Sequence, residues 1–224
     1  MAKQTNTTPD SMQVRTRQRV ADHGEVFTSQ REVNAMLDLV KQETERIDSR
    51  FLEPACGTGN FLIEVLRRKL ARAKERYRKN QLEYERNAVL AVSSLYGIDI
   101  LEDNAAECRQ RLFDEFDKHY LALYKSKCKH ECRRSVKFIL SKNIVRGDAL
   151  TMKTADESSY IVFPEWAAVN GSMMKRRDFT FHELLGNSEV RNTPLFSDLG
   201  EEAYVPEPIK EYPLVHFLEL GADG

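Results

Sequence analysis

An α/β fold built on a parallel, doubly wound sheet is what three short segments of this sequence predict together. Phe51-Leu52, Leu95-Tyr-Gly-Ile-Asp-Ile100 and Ile144-Val145 each read as a strand, and each carries or runs into a glycine or a carboxylate. Helical patterns separate them, which is the alternation that parallel sheets require. The chain has 224 residues, enough to bury one large core.

The chain opens on a Thr-, Asn- and Gln-rich stretch, with a disordered tail expected over residues 1–13. A basic segment, Val14 to Val20, follows. Ser29 then has the position of an N-cap, with Glu32 at capping-box spacing. Val33, Met36, Leu37 and Val40 give the helix behind it one apolar face.

The stretch Phe51-Leu-Glu-Pro-Ala-Cys-Gly-Thr-Gly-Asn-Phe-Leu62 organises the rest. Pro54 has no N–H and ends the strand. Gly57 and Gly59 flank Thr58 in a tight turn, where glycine permits positive φ and close approach of a ligand. Leu62, Val65 and Leu66 repeat at helical spacing, so a helix start faces the turn with free N–H groups. The dinucleotide fingerprint needs three glycines, and the third is missing, which counts against a nicotinamide or flavin site.

Residues 64–87 read as one long charged helix. Its Arg and Lys side chains suit either DNA phosphates or water, and the interspersed Glu75, Glu83 and Glu85 favour the solvated face. A second helix is expected from Asn87 to Ser94. Asp99 ends its strand where ligands bind in open α/β sheets. Residues 103–124 form a helix with Leu112, Phe116 and Tyr120 on one face. Cys128, His130 and Cys132 have the chemistry of metal ligands, but no second ligand pair follows, and a surface loop is the reading preferred. Gly147-Asp148-Ala149-Leu150 is a strand exit. Asn170-Gly171 then reads as a turn, and Met173 to Phe179 as a basic helix.

The net charge of −1 provides no general attraction to nucleic acid, so contact with DNA needs a local patch. No window is apolar enough to span a bilayer, and Met1 to Asp10 is polar, as expected of a cytoplasmic protein. Four unevenly spaced cysteines suit reduced thiols.

Glu53-Pro-Ala-Cys-Gly-Thr-Gly-Asn-Phe-Leu62 closely resembles the first motif of the N6-adenine DNA methyltransferases of restriction–modification systems, which use S-adenosyl-L-methionine. Gly24-Glu-Val-Phe-Thr28 resembles the motif that precedes it, with Ser29 where that family usually has proline. Tyr96 to Ile100 resembles the second motif and Gly147 to Leu150 the third. The resemblance implies a Rossmann-like methyltransferase sheet, incomplete at its C-terminal end. It implies cofactor contacts from Phe27, Thr28, Glu53, Ala55, Cys56, Gly57, Gly59, Phe61, Asp99, Asp148 and Ala149. Asp99 would hold the ribose and Asp148 the exocyclic amine of the adenine. Cys56 reads as structural, since no histidine lies near it in sequence.

The motif that would hold the target base, Asn or Asp followed by Pro-Pro and Tyr or Phe, is not found; no Pro-Pro pair occurs in the sequence. Tyr160-Ile-Val-Phe-Pro-Glu-Trp166 has an acceptor and an aromatic ring in a different order, and no catalytic role is carried onto it. The expected organisation is therefore a cofactor-binding domain over residues 14–165 and an irregular extension over 166–224. The expected function is the cofactor-binding part of an adenine-N6 methyltransferase acting on DNA, with a partner chain supplying the catalytic motif. The alternative is an inactive cofactor-binding partner. No metal is expected.

Overall fold

The computed structural model describes residues 28–185 and 206–222. Phe27 and the expected tail over residues 1–13 lie outside the described residues. Helix α1 (Gln30–Leu39) starts on the predicted capping box: the Ser29 N–H donates to Glu32 Oε2 over 3.0 Å, and the Glu32 N–H donates to Ser29 Oγ over 3.4 Å. Val33 and Leu37 are buried, but Met36 and Val40 are exposed, so the apolar face is narrower than its sequence suggests. A short helix, α2 (Lys41–Glu45), leads to β1 (Phe51–Glu53).

The long helix expected over 64–87 is two helices. α3 (Asn60–Tyr77) stops where Asn80 caps α4 (Gln81–Ser93), its side-chain oxygen accepting from the Glu83 N–H at 3.2 Å. Asparagine competes for backbone groups and so favours a cap over a helix interior. β2 (Leu95–Asp99), α5 (Glu102–Tyr124), α6 (His130–Asn143) and β3 (Ile144–Asp148) follow. β1, β2 and β3 pair in parallel in that order, and the short β4 (Lys153–Thr154) closes antiparallel on β3.

The two faces of β2 belong to different cores. Leu95 joins the helix side chains, among them Leu62, Leu66, Leu112 and Phe116. Tyr96 and Ile98 face the other way, against Ile161, Phe163 and Phe181. This is the period of two expected of a strand buried on both sides. The fold is α/β, as the sequence predicts.

Two further expectations of local structure are corrected. Met173 to Phe179 is not a helix but most of strand β6 (Met173–Thr180), paired antiparallel with β5 (Val162–Val169). Asn170 at φ 39° and Gly171 at φ 74° make the hairpin turn, which brings Arg177 directly opposite Glu165 and Arg176 opposite Trp166. These cross-strand pairs, an ion pair and a cation over an indole ring at 5.6 Å, outweigh the helical look of the basic run. The division expected at residue 165 thus falls inside β5, and the stretch after it is partly regular, with β7 (Lys210–Glu211) and β8 (Val215–His216) both pairing β6. Cys132 and His130 lie on α6 rather than in a surface loop, and Cys132 is fully buried.

The charged face of α3 also holds an exception. Arg67, Arg68 and Arg72 pair with Glu64, Glu115, Asp38, Glu45 and Glu75, as a solvated face should. Lys69, however, is fully buried. Its ammonium donates to the carbonyls of Ile47 and Ser49 and to Ser94 Oγ, fastening the approach to β1.

Candidate ligand site at the carboxyl end of the sheet

Strand β1 ends at Glu53, and the chain turns through Cys56, Gly57, Thr58 and Gly59 into α3. Gly57 has φ 51° and Gly59 φ 88°, both in the left-handed region that the glycines were expected to allow. A Cβ on Gly59 would come within 2.6 Å of Cys108 Sγ, so α5 packs against the loop from behind. A Cβ on Gly57 would meet nothing within 4 Å, so the front of the loop is open.

The open front is a cavity of about 160 Å³. Of the expected residues, Thr28, Glu53, Ala55, Cys56, Gly57 and Phe61 line it. Gly59 shapes the turn without lining the cavity. Asp99 stands beside it, 9% exposed, with both carboxylate oxygens engaged. Oδ2 accepts from the Gly57 N–H at 2.9 Å; Oδ1 accepts from the Leu101 N–H at 2.9 Å and from Asn104 Nδ2 at 3.3 Å. Asp148 and Ala149 lie at the end of β3, beyond β2, and do not line the cavity. The Asp148 carboxylate accepts from the Leu150 N–H at 2.9 Å, an Asx turn at the strand exit.

Met36, Thr58 and Asn60 also line the cavity, and the sequence reading passed over them. Met36 had a signal: it is an apolar residue on the face of α1 that the core leaves uncovered. Asn60 donates from Nδ2 to the Thr28 carbonyl at 3.4 Å and so ties the helix start to the opposite wall.

Glu53 is the one carboxyl among the described residues that line the cavity. Burial raises the Glu53 carboxyl above its ordinary pKa, and the Ala55 N–H works against that shift. Among the described residues no cation pairs with Glu53. The Cys56 thiol is pushed up strongly, first by its hydrogen bond with Cys108 and then by burial, which favours the protonated thiol over the thiolate. Among the described residues no group of three or more His, Cys, Asp or Glu side chains could hold a metal ion.

A larger cavity, about 420 Å³, lies against the first half of β1 and under the β5–β6 hairpin. Its walls are mainly apolar, including Leu52, Tyr96, Phe163 and Phe179. It has no glycine loop and lies away from the strand ends, where open α/β sheets bind ligands. The glycine loop and the Glu53 carboxyl at the end of β1 belong to the smaller one.

The family described as "MmeI, DNA-methyltransferase domain" matches residues 27–159. The chain belongs to this family. The matched stretch spans α1 to β4 and includes every residue that lines the smaller cavity. As a member of the MmeI methyltransferase family, the chain carries a DNA-methyltransferase domain of the restriction–modification kind. No curated protein and no solved structure matches it. No described helix is long and apolar enough to cross a membrane.

Proposed function

We propose that this chain binds S-adenosyl-L-methionine in the cavity between Glu53 and Phe61, as the cofactor-binding part of an adenine-N6 DNA methyltransferase. One observation carries the reading: a desolvated carboxyl, Glu53, faces the cavity with no cation beside it among the described residues. A buried acid of this kind is stabilised by a cationic ligand. S-adenosylmethionine has two cationic centres, its ammonium and its sulfonium. The bare Gly57 backbone lets such a ligand approach closely.

The cavity is smaller than the roughly 300 Å³ at which sites for whole ligands begin, so it suits the methionine end alone. The nucleoside would extend along the strand ends toward Asp99 and then Asp148. Asp99 Oδ2 accepts one hydrogen bond and has a further lone pair, which supports a contact with a ribose hydroxyl. When bound, the cofactor supplies an activated methyl group. The chain's residues bind and orient it.

A second reading, a cofactor-binding chain without catalysis of its own, is favoured by the state of Glu165 and Trp166. Glu165 is held between Arg50 and Arg177, and Trp166 is buried with its indole N–H donating to Asn143 Oδ1 at 2.9 Å. Neither group is free to hold a flipped adenine, and a partner chain would supply that pocket. Calorimetry with S-adenosylmethionine and with S-adenosylhomocysteine tests the binding. Glu53→Gln should weaken the first more than the second, because the second lacks the sulfonium charge. A folded wild-type chain that binds neither ligand overturns the proposal.

A further inference from the structure

Arg111, on α5, does not itself line the cavity, yet it grips two residues that do. Its Nη1 donates to the Thr58 carbonyl at 2.7 Å, to Thr58 Oγ1 at 2.7 Å and to Asn60 Oδ1 at 3.0 Å. Thr58 is 4% exposed, and Asn60 passes the restraint on to the Thr28 carbonyl. One guanidinium therefore sets the positions of three cavity residues: Thr58 and Asn60 directly, and Thr28 through Asn60. Among the described residues no carboxylate forms an ion pair with Arg111. A cation beside the start of α3 is also opposed by the helix dipole, which favours anions there.

We infer that Arg111 is a positioning residue for the methionine end of the cofactor, holding the Thr58–Asn60 segment at the width the ligand needs. This rests on the reading of the cavity as a cofactor site. The guanidinium suits the task because it is planar and permanently charged, and its fixed N–H groups reach several acceptors from one side chain.

The test uses the full chain with Arg111→Ala and Arg111→Lys. Affinity for S-adenosylhomocysteine is measured by calorimetry, thermal unfolding by circular dichroism, and amide exchange over residues 56–61 by mass spectrometry. Arg111→Ala should bind at least tenfold more weakly, with a lowered unfolding midpoint, a chain still folded at the assay temperature, and faster exchange confined to the loop. Arg111→Lys, which can keep some of the three hydrogen bonds, should recover part of the affinity. Equal affinity in wild type and Arg111→Ala overturns the inference, and so does a lysine variant no better than alanine. If Arg111→Ala fails to fold, Arg111→Lys decides: affinity equal to wild type overturns the inference, and a threefold or greater loss supports it. If the wild type binds no cofactor, the cofactor reading fails. Loop exchange in Arg111→Ala then still tells whether Arg111 is the clamp.

Discussion

The Gly57 N–H donates to Asp99 Oδ2 over 2.9 Å, so a side chain from the end of β2 holds the loop that leaves β1. The same carboxylate accepts from Leu101 and Asn104 at the start of α5. A residue expected only to meet a ligand is thus also a joint between two βα units. Ligand site and loop geometry share one group, and a substitution there disturbs both.

Asp99→Ala should lower unfolding free energy by about 1–3 kcal/mol, the usual cost of leaving buried donors without an acceptor. It should also weaken cofactor binding by about 1–3 kcal/mol through the lost charge-assisted bonds. Asp99→Asn keeps one acceptor oxygen and should lose less of both. Urea denaturation alongside calorimetry separates the two effects. Stability unchanged in Asp99→Ala would show that the three internal bonds contribute nothing.

Cys56→Ala should retain cofactor affinity to within a factor of about three, less than 1 kcal/mol. The thiol donates to the Gly57 carbonyl at 3.7 Å and is 6% exposed, so its role is packing against Cys108. In the folded chain iodoacetamide should label Cys56 far more slowly than in urea. Rapid labelling of the native protein would contradict a protonated, covered thiol.

The glycine turn and the strand–acid endings were legible because each is local: a backbone conformation or a strand terminus is written within a few residues. The capping box of Ser29 and Glu32 was legible for the same reason. What the sequence hid is non-local. The 173–179 run looks helical until Glu165 and Trp166 are placed opposite its arginines. Lys69 looks like one more solvated lysine until Ile47, Ser49 and Ser94 are folded over it. Arg111 lies 53 residues from Thr58 in sequence, and its spacing on α5 says nothing of the loop it grips.

Lys69 should give the protein a distinctive pH dependence. Burial lowers its pKa to about 7, whereas a lysine in the unfolded chain titrates at about 10.4. Between those values the unfolded state binds more protons, so Lys69 makes stability rise with pH across that window, by at most about 1.4 kcal/mol per pH unit. Below it the lysine is charged in both states and contributes no slope. The raised thiols and tyrosines act in the opposite direction at alkaline pH, but Lys69→Met keeps them all. The stability difference, wild type minus Lys69→Met, should therefore grow from about pH 6 to about pH 9. A difference that stays constant would place the Lys69 pKa outside this window. The variant should also be less stable than wild type at the upper end, since its buried carbonyls of Ile47 and Ser49 lose their donor.

The last prediction concerns activity. A flipped adenine needs an acceptor for its amine and a surface to stack on, and extrusion costs a few kcal/mol. Glu165 is the one acid in the Phe163-Pro-Glu-Trp166 segment. Burial alone would raise its carboxyl, but Arg50 and Arg177 together hold it below the ordinary range, so it stays ionised and occupied. Trp166 is 5% exposed, edge-on to Phe138 and covered by Arg176, with no face left for a base. Breaking either arrangement would cost stability. The chain alone should therefore methylate DNA at or near background, even with cofactor bound, and activity should appear with a partner that supplies the base pocket. The measurement is transfer of tritiated methyl groups to unmethylated genomic DNA by the purified single chain. Incorporation at N6 of adenine well above background would refute this. If Trp166→Ala also abolished that incorporation while the chain stayed folded, the segment would have to open in the complex with DNA.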